Sequence, residues 1–325
     1  MKNQIKLVSL AIALSIGTAH AESTISGDVT ITGEIKQGGM FNMAAAENSV
    51  AEQKLNTITG STVTGDAKMD LQIEEGGVFN MAAAQDSTAE QRVNAINKST
   101  VNSTDIATTI EQGGLFNMAA AKNSVAVQHV GAVSNSNMTA GTISAKTNIK
   151  QGGAFNMAAA EGSTANMLIS SLDGFSGGGD VNLETNIEEG GAFNMAAAKN
   201  STAELLIASG RDSAVDGTAS IAVDIQQGGA FNMAAAQNST AVTKIGALDD
   251  SSISGDANIN VDIKKGGTFN MAAAQNSVAN LSIGSVSNAE VGGSITIDSK
   301  IEEGGAFNMA AGQGSVADAS FGAVE

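Results

Sequence analysis

The chain has 325 residues and a formal charge of −17, from 33 acidic against 16 basic side chains, with 38 Gly and no Cys, Pro, Trp or Tyr. So acidic a chain lacks the clustered Lys and Arg that phosphate binding needs, which argues against nucleic acid as a partner. Without Cys there is no disulfide framework, and without Pro nothing interrupts continuous β-pairing.

The first element in chain order is MKNQIKLVSLAIALSIGTAHA, residues 1–21. Lys2 and Lys6 precede an apolar stretch from Leu7 to Ile16 and the small-x-small tripeptide Ala19, His20, Ala21, the pattern of a secretory signal peptide. The expected mature chain therefore begins near Glu22 and is secreted, to an extracellular fibre or the cell surface. Loss of Lys2 and Lys6 takes its formal charge from −17 to −19. Residues 22–325 are expected to form a single repeat domain.

A strand is expected over Ile25–Ile35, and its pattern is clearest one repeat later. There Val63, Gly65, Ala67, Met69, Leu71 and Ile73 alternate with Thr64, Asp66, Lys68, Asp70 and Gln72, as in a strand with one buried face. Next comes IKQGGMFNMAAAENSVA, whose pattern IxxGGxFNMAAAx[NDG]S[VT]A recurs on Ile35, Ile73, Ile110, Ile149, Ile187, Ile225, Ile263 and Ile301. Successive anchors lie 38, 37, 39, 38, 38, 38 and 38 residues apart, a period that marks a stacked repeat architecture. A second alternation follows, such as Ala203, Leu205 and Ile207, and then a loop rich in Gly, Ser, Asn and Asp. The expected fold class is all-β: a cross-β stacked β-solenoid of eight repeats of about 38 residues, two strands per repeat.

The motif between the strands admits two readings. FNMAAA holds good helix formers, and Asn48 with Ser49 would suit a helix cap. The period-two placement of residues such as Thr243 and Ile245 favours strand and turn instead. The glycine pairs are expected to form a bend or bulge, since Gly accepts positive φ and close backbone approach. These are Gly38 and Gly39, Gly76 and Gly77, Gly113 and Gly114, Gly152 and Gly153, Gly190 and Gly191, Gly228 and Gly229, Gly266 and Gly267, and Gly304 and Gly305.

Stacking of identical positions implies two ladders. Asn42, Asn80, Asn117, Asn156, Asn194, Asn232, Asn270 and Asn308 would form an amide ladder. Phe41, Phe79, Phe116, Phe155, Phe193, Phe231, Phe269 and Phe307 would form an aromatic row, with a Met row from Met43 to Met309 beside it. Ala44, Ala45 and Ala46 are small enough to let two sheets approach closely. Whether a repeat makes one rung or two, and whether Phe41 and Met43 face inward or outward, stays open, because a glycine pair can shift strand parity.

The string IKQGGMFNMAAAENSVAEQ resembles the repeats of bacterial functional amyloid subunits. Ile35, Gln37, Gly38 or Gly39, Asn42, Ala44 and, more loosely, Gln53 are similar to the curli-type IxQxGxxNxAxxxQ pattern, and Asn308 to Ser315 looks like the NxAA[AG]xx[NS] element of Fap-type subunits. The chain departs from both: curli repeats are shorter, and Fap subunits have fewer repeats, long linkers and a C-terminal cysteine pair. The resemblance implies a subunit that polymerises with itself, head to tail, into a biofilm or cell-surface fibre. It also implies outer-membrane export and nucleation partners. The competing expectation is a monomeric β-solenoid adhesin or surface-layer protein.

The two residues before each glycine pair vary in charge, from Lys36 and Gln37 in the first repeat to Lys264 and Lys265 in the seventh and Glu302 and Glu303 in the last. Head-to-tail addition would bring Glu302 and Glu303 against Lys36 and Gln37, a bias toward register worth about 0 to 1 kcal/mol per exposed pair. No enzyme is expected, since the mature chain offers one His, His129, and two Arg, Arg92 and Arg211. No cofactor is expected either: a DxDxDG loop is missing around Asp249, Asp250 and Asp256, and no GK[ST] follows Gly177 to Gly179.

Overall fold

A computed structural model of the protein describes residues 23–325 apart from Ala197, Ala235 and Ala273; the expected signal peptide, residues 1–21, lies outside the described residues. Each repeat forms one rung of a parallel β-solenoid whose strands make three parallel sheets. The fifth rung shows the plan: a short strand Ser176–Gly177, a long strand Val181–Ala196, then Thr202–Ile207 and Gly210–Arg211. The long strands of all eight rungs stack in register, so that Ile187 lies between Ile149 and Ile225, and Asn194 between Asn156 and Asn232.

One repeat is thus one rung, and the two long segments of each repeat are strands. The expected strands from Ile25 and from Val63 are each broken near their start: Ile25 and Val63 end short strands of a separate sheet that runs from Ser23–Ile25 to Glu290–Val291, and the long strands begin at Val29 and Asp66. Acidic residues between the short and long strands link the rungs: Asp180 Oδ1 accepts from the Thr218 backbone N–H at 2.9 Å, and Asp256 Oδ1 accepts from that of Ser294 at 2.8 Å.

The motif itself differs from expectation in one respect. GGxFNMA does not bend the chain from one strand to the next; it is the second half of the long strand, and the reversal comes after it. The turn sits on the motif's [NDG] position, where Asn48, Asp86, Asn123, Gly162, Asn200, Asn238, Asn276 and Gly314 all have positive φ. Asn, Asp and Gly are the residues that tolerate this conformation, so the variation at that position is a φ requirement. The Ser that follows secures the turn below it: Ser201 Oγ donates to the Ala160 carbonyl at 3.2 Å, and Ser239 Oγ donates to that of Ala198 at 3.0 Å.

The interior is aliphatic at its centre, with Ile73, Ile110, Ile149, Ile187, Ile225 and Ile263 fully buried in one column. Near the turn it narrows to a separate alanine layer, in which the column of Ala196 faces that of Ala203. Only a methyl-sized side chain on both strands lets them approach this closely.

Candidate functional site

The glycine pair decides what the motif presents. In the long strand Val181–Ala196 the inward positions are Val181, Leu183, Thr185 and Ile187 before the pair, and Ala192, Asn194 and Ala196 after it. Odd-numbered residues point inward before the pair and even-numbered residues after it. The parity shift is made at Gly190, whose φ is 136°, and a Cβ there would lie 1.8 Å from the Gly152 carbonyl oxygen. No side chain fits either that conformation or that approach. All eight first glycines of the pairs share it, with φ from 109° at Gly38 to 147° at Gly228. The pairs thus act as an in-strand bulge and not as the turn.

As a result the Asn column points inward and the Phe and Met columns outward. The Asn side chains link rung to rung through Nδ2 to Oδ1 contacts of 2.9–3.0 Å from Asn42 to Asn308. Each amide also ties the long strand to the facing sheet: Asn156 Nδ2 lies 2.9 Å from the Asn166 carbonyl and 3.0 Å from that of Ala126. The interior amides are buried, where an unpartnered polar group would cost about 1–3 kcal/mol, so the ladder fixes both register and sheet spacing.

The Phe rings stack at centroid spacings of 4.6–4.9 Å with planes within 7° of parallel, from Phe41 to Phe307. Each ring also leans over the second glycine of its pair: a Cβ on Gly191 would meet Phe193 Cε2 at 2.8 Å. Ring and glycine shield each other, the aromatic covering of a backbone that carries no side chain. Outside, the rows bound a groove of about 920 Å³, walled by Phe193 and Phe231 on one side and Met195 and Met233 on the other. A second groove of about 860 Å³ runs above the glycines between Gln151 and Phe155.

A smaller polar cluster lies at the far corner of the solenoid. Arg211 bonds Asp173 at 2.8 Å and also Glu204; Arg92 bonds Glu52 at 3.2 Å and also Glu90; Lys244 bonds Asp249. Burial pushes the Asp249 carboxyl up, but the bonds from Lys244 and from Ser287 outweigh it and hold its pKa below the usual value. Burial, with Arg92 and then Arg211 nearby, lowers His129 to about 3. It is therefore neutral at any physiological pH, with Nδ1 3.4 Å from Ser134 Oγ. The basic side chains of this corner are held by ion pairs within a rung or to a neighbouring one. Among the described residues no group of three or more His, Cys, Asp and Glu side chains is placed to hold a metal. Also among them, no helix is long and apolar enough to cross a membrane.

No protein-family model, curated protein or solved structure matches the chain.

Sequence reasoning missed the Ser column and the positive-φ turn. Both were signalled by the strict Ser and by the Asn, Asp or Gly before it. It also missed the buried Gln ladder of the first three rungs, in which Gln128 Nε2 donates to Gln91 Oε1 at 2.6 Å and Gln91 Nε2 to Gln53 Oε1 at 2.9 Å. Gln53 alone was singled out, for a different reason.

The two ends of the solenoid complete the site. Val29–Ala44 and Ile295–Ala310 are the outer strands of the long-strand sheet, each with one unpaired edge. Every Asn Nδ2 donates toward the C-terminal neighbour, so among the described residues no donor reaches Asn42 Oδ1, while Asn308 has no further rung to donate to. The charges at the ends run in opposite order: Glu34 with Lys36 in the first rung, Lys300 with Glu302 in the last. The seventh rung has the first rung's order, Asp262 with Lys264, and Lys265 lies 3.9 Å from Glu303 of the eighth. Lys264 and Glu302, on adjacent rungs, form no ion pair with each other, because Lys264 turns to Asp224 and Asp262 and Glu302 to Lys300.

Proposed function

We propose that the protein is a secreted structural subunit that polymerises head to tail into extracellular amyloid-like fibres of a biofilm matrix or cell surface. The observation that carries this reading is the match between the two ends. Stacking a second copy on the last rung, in register, sets Ile301 over Ile35, Phe307 over Phe41 and Asn308 over Asn42. It also gives the unfilled Asn42 Oδ1 the donor it lacks. Lys300 then faces Glu34 and Glu302 faces Lys36, which repeats the charge order that the eighth rung already finds on the seventh. Unpaired strand edges recruit further strands unless they are blocked; among the described residues no Pro and no covering element lies over these ends, and the charges they carry are complementary to one another. The resemblance to Fap-type and curli-type repeats points the same way, and with it comes the expectation of export and nucleation partners in the outer membrane.

The test is incubation of purified mature protein. Fibres that resist detergent and diffract at about 4.7 Å along their axis are the expected outcome. A persistent soluble monomer overturns the reading in favour of a monomeric adhesin or surface-layer protein.

A further inference from the structure

We propose that two solenoids of this chain pair side by side through the Phe and Met face, parallel to one another about a two-fold axis along the stacking direction. This goes beyond end-to-end growth and rests on it only for the extent of the paired surface. The starting point is where the repeats tolerate change. The buried position just before the Phe reads Met40, Val78, Leu115, Ala154 and Thr268 in different rungs, whereas the outward Phe and Met are the same in all eight. Ring-to-ring stacking accounts for uniformity along the Phe column, and it leaves the Phe and Met rows together presenting one outward edge that repeats unchanged from rung to rung.

The face is large enough to matter. Alternate outward positions across it are Gly, Phe and Met, followed by the exposed Ala45, Ala83, Ala120, Ala159 and Ala311 in the rungs where that position is described. At about 3.3 Å per residue and 4.6–4.9 Å per rung, the strip covers roughly 20 by 38 Å, or about 750 Å². That exceeds the apolar patch of an ordinary monomer and is close to the roughly 800 Å² each partner buries in a stable complex. Joined end to end, subunits extend the strip without limit, so pairing strengthens as a fibre grows.

The shape selects the occupant. Ridges repeating every 4.6–4.9 Å interlock only with a surface of the same axial period, and a second copy of this chain has it. A two-fold axis along the stack sets the Phe row of each copy against the Met row of the other, a contact between ring and thioether that is favourable in itself. It also sets the column before the glycines against the column after the alanines, rung by rung. Glu189 then meets Lys199, Gln112 meets Lys122 and Gln151 meets Glu161, and none of the eight same-rung pairs carries like charges.

The experiment is mass per unit length of wild-type fibres beside fibres of Phe155→Ser, Phe193→Ser, Phe231→Ser. Wild type is expected to show two chains per roughly 38 Å of fibre and the variant one, a twofold drop, with the axial reflection unchanged. Wild-type fibres of one chain per roughly 38 Å, or a variant that stays paired, overturn the proposal. If the variant does not fold, peroxide oxidation of wild type decides. Met157, Met195 and Met233 should react about tenfold slower in fibres than in dilute monomer, while buried Met69 and Met167 stay protected in both. Equal rates at the face overturn it. If wild type forms no fibres, end-to-end growth fails, but pairing is still read by sedimentation at high concentration. A dimer lost in the triple variant then sustains it, and a monomer overturns it.

Discussion

The motif side of each rung and the far corner solve the same stacking problem in opposite ways. On the motif side two columns hold one residue type throughout, Asn from Asn42 to Asn308 and Phe from Phe41 to Phe307. At the corner one column runs Lys54, Arg92, His129, Leu168, Leu206 and Lys244, and each member finds a local partner. An amide ladder needs the same group above and below, because each side chain is donor to one neighbour and acceptor from the other. An ion pair or an apolar contact needs only one suitable neighbour. Uniform columns therefore mark contacts that pass from rung to rung, and mixed columns mark contacts that close within one or two rungs.

That contrast can be broken first on its uniform side. Asn194→Ala removes the bonds to Glu204 and Ala165 and cuts the ladder in its middle, so urea unfolding should show a loss of roughly 3 kcal/mol. Met167→Leu, in a mixed column that already holds Leu205 and Leu281, should cost under about 1.5 kcal/mol. Equal losses for the two would remove the distinction.

The corner has its own signature in pH. The neutral form of His129 is the one that fits the fold, since burial, Arg92 and Arg211 lower its pKa from 6.5 to about 3. Its contribution is fully present above pH 6.5 and is lost as pH falls from there toward 3, by up to about 1.4 kcal/mol per pH unit. His129→Leu, copying Leu168 and Leu206, should flatten that part of the stability profile measured from pH 7 to 4. A profile unchanged by the substitution would mean that His129 is not the group that titrates.

The smallest effect concerns a core column that mixes Thr with Val. Thr185 Oγ1 is buried without a partner, whereas Thr147 receives a bond from Ser170 at 2.7 Å. Thr185→Val, as at Val223 and Val261, should stabilise by about 1 kcal/mol in the same urea assay, and Thr147→Val should not.

Much of this is legible in the sequence. The period of about 38 residues, the rung positions of Asn and Phe and the all-β class follow from residue alternation and repetition alone. The turn was less legible, because FNMAAA followed by Asn and Ser also reads as a helix and its cap. Only the stacked neighbours supply the strand edges that make the extended form win. The third sheet was not legible as a separate one, since Ile25 and Val63 read as the start of the long strands. Pairs such as Ser176–Gly177 and Ala214–Val215 are too short to show a period, and they are strands only because the rungs on either side pair with them.

What the sequence determined by itself is the repeat and the identity of its ladder residues, because in-register stacking places like on like whatever the rung's shape. What only the tertiary structure decided is which way those residues face. The shift of parity at Gly190 and its equivalents is a backbone property with no side chain to report it. It sends the amides into the core, where they hold the two walls together, and leaves Phe and Met on the outside.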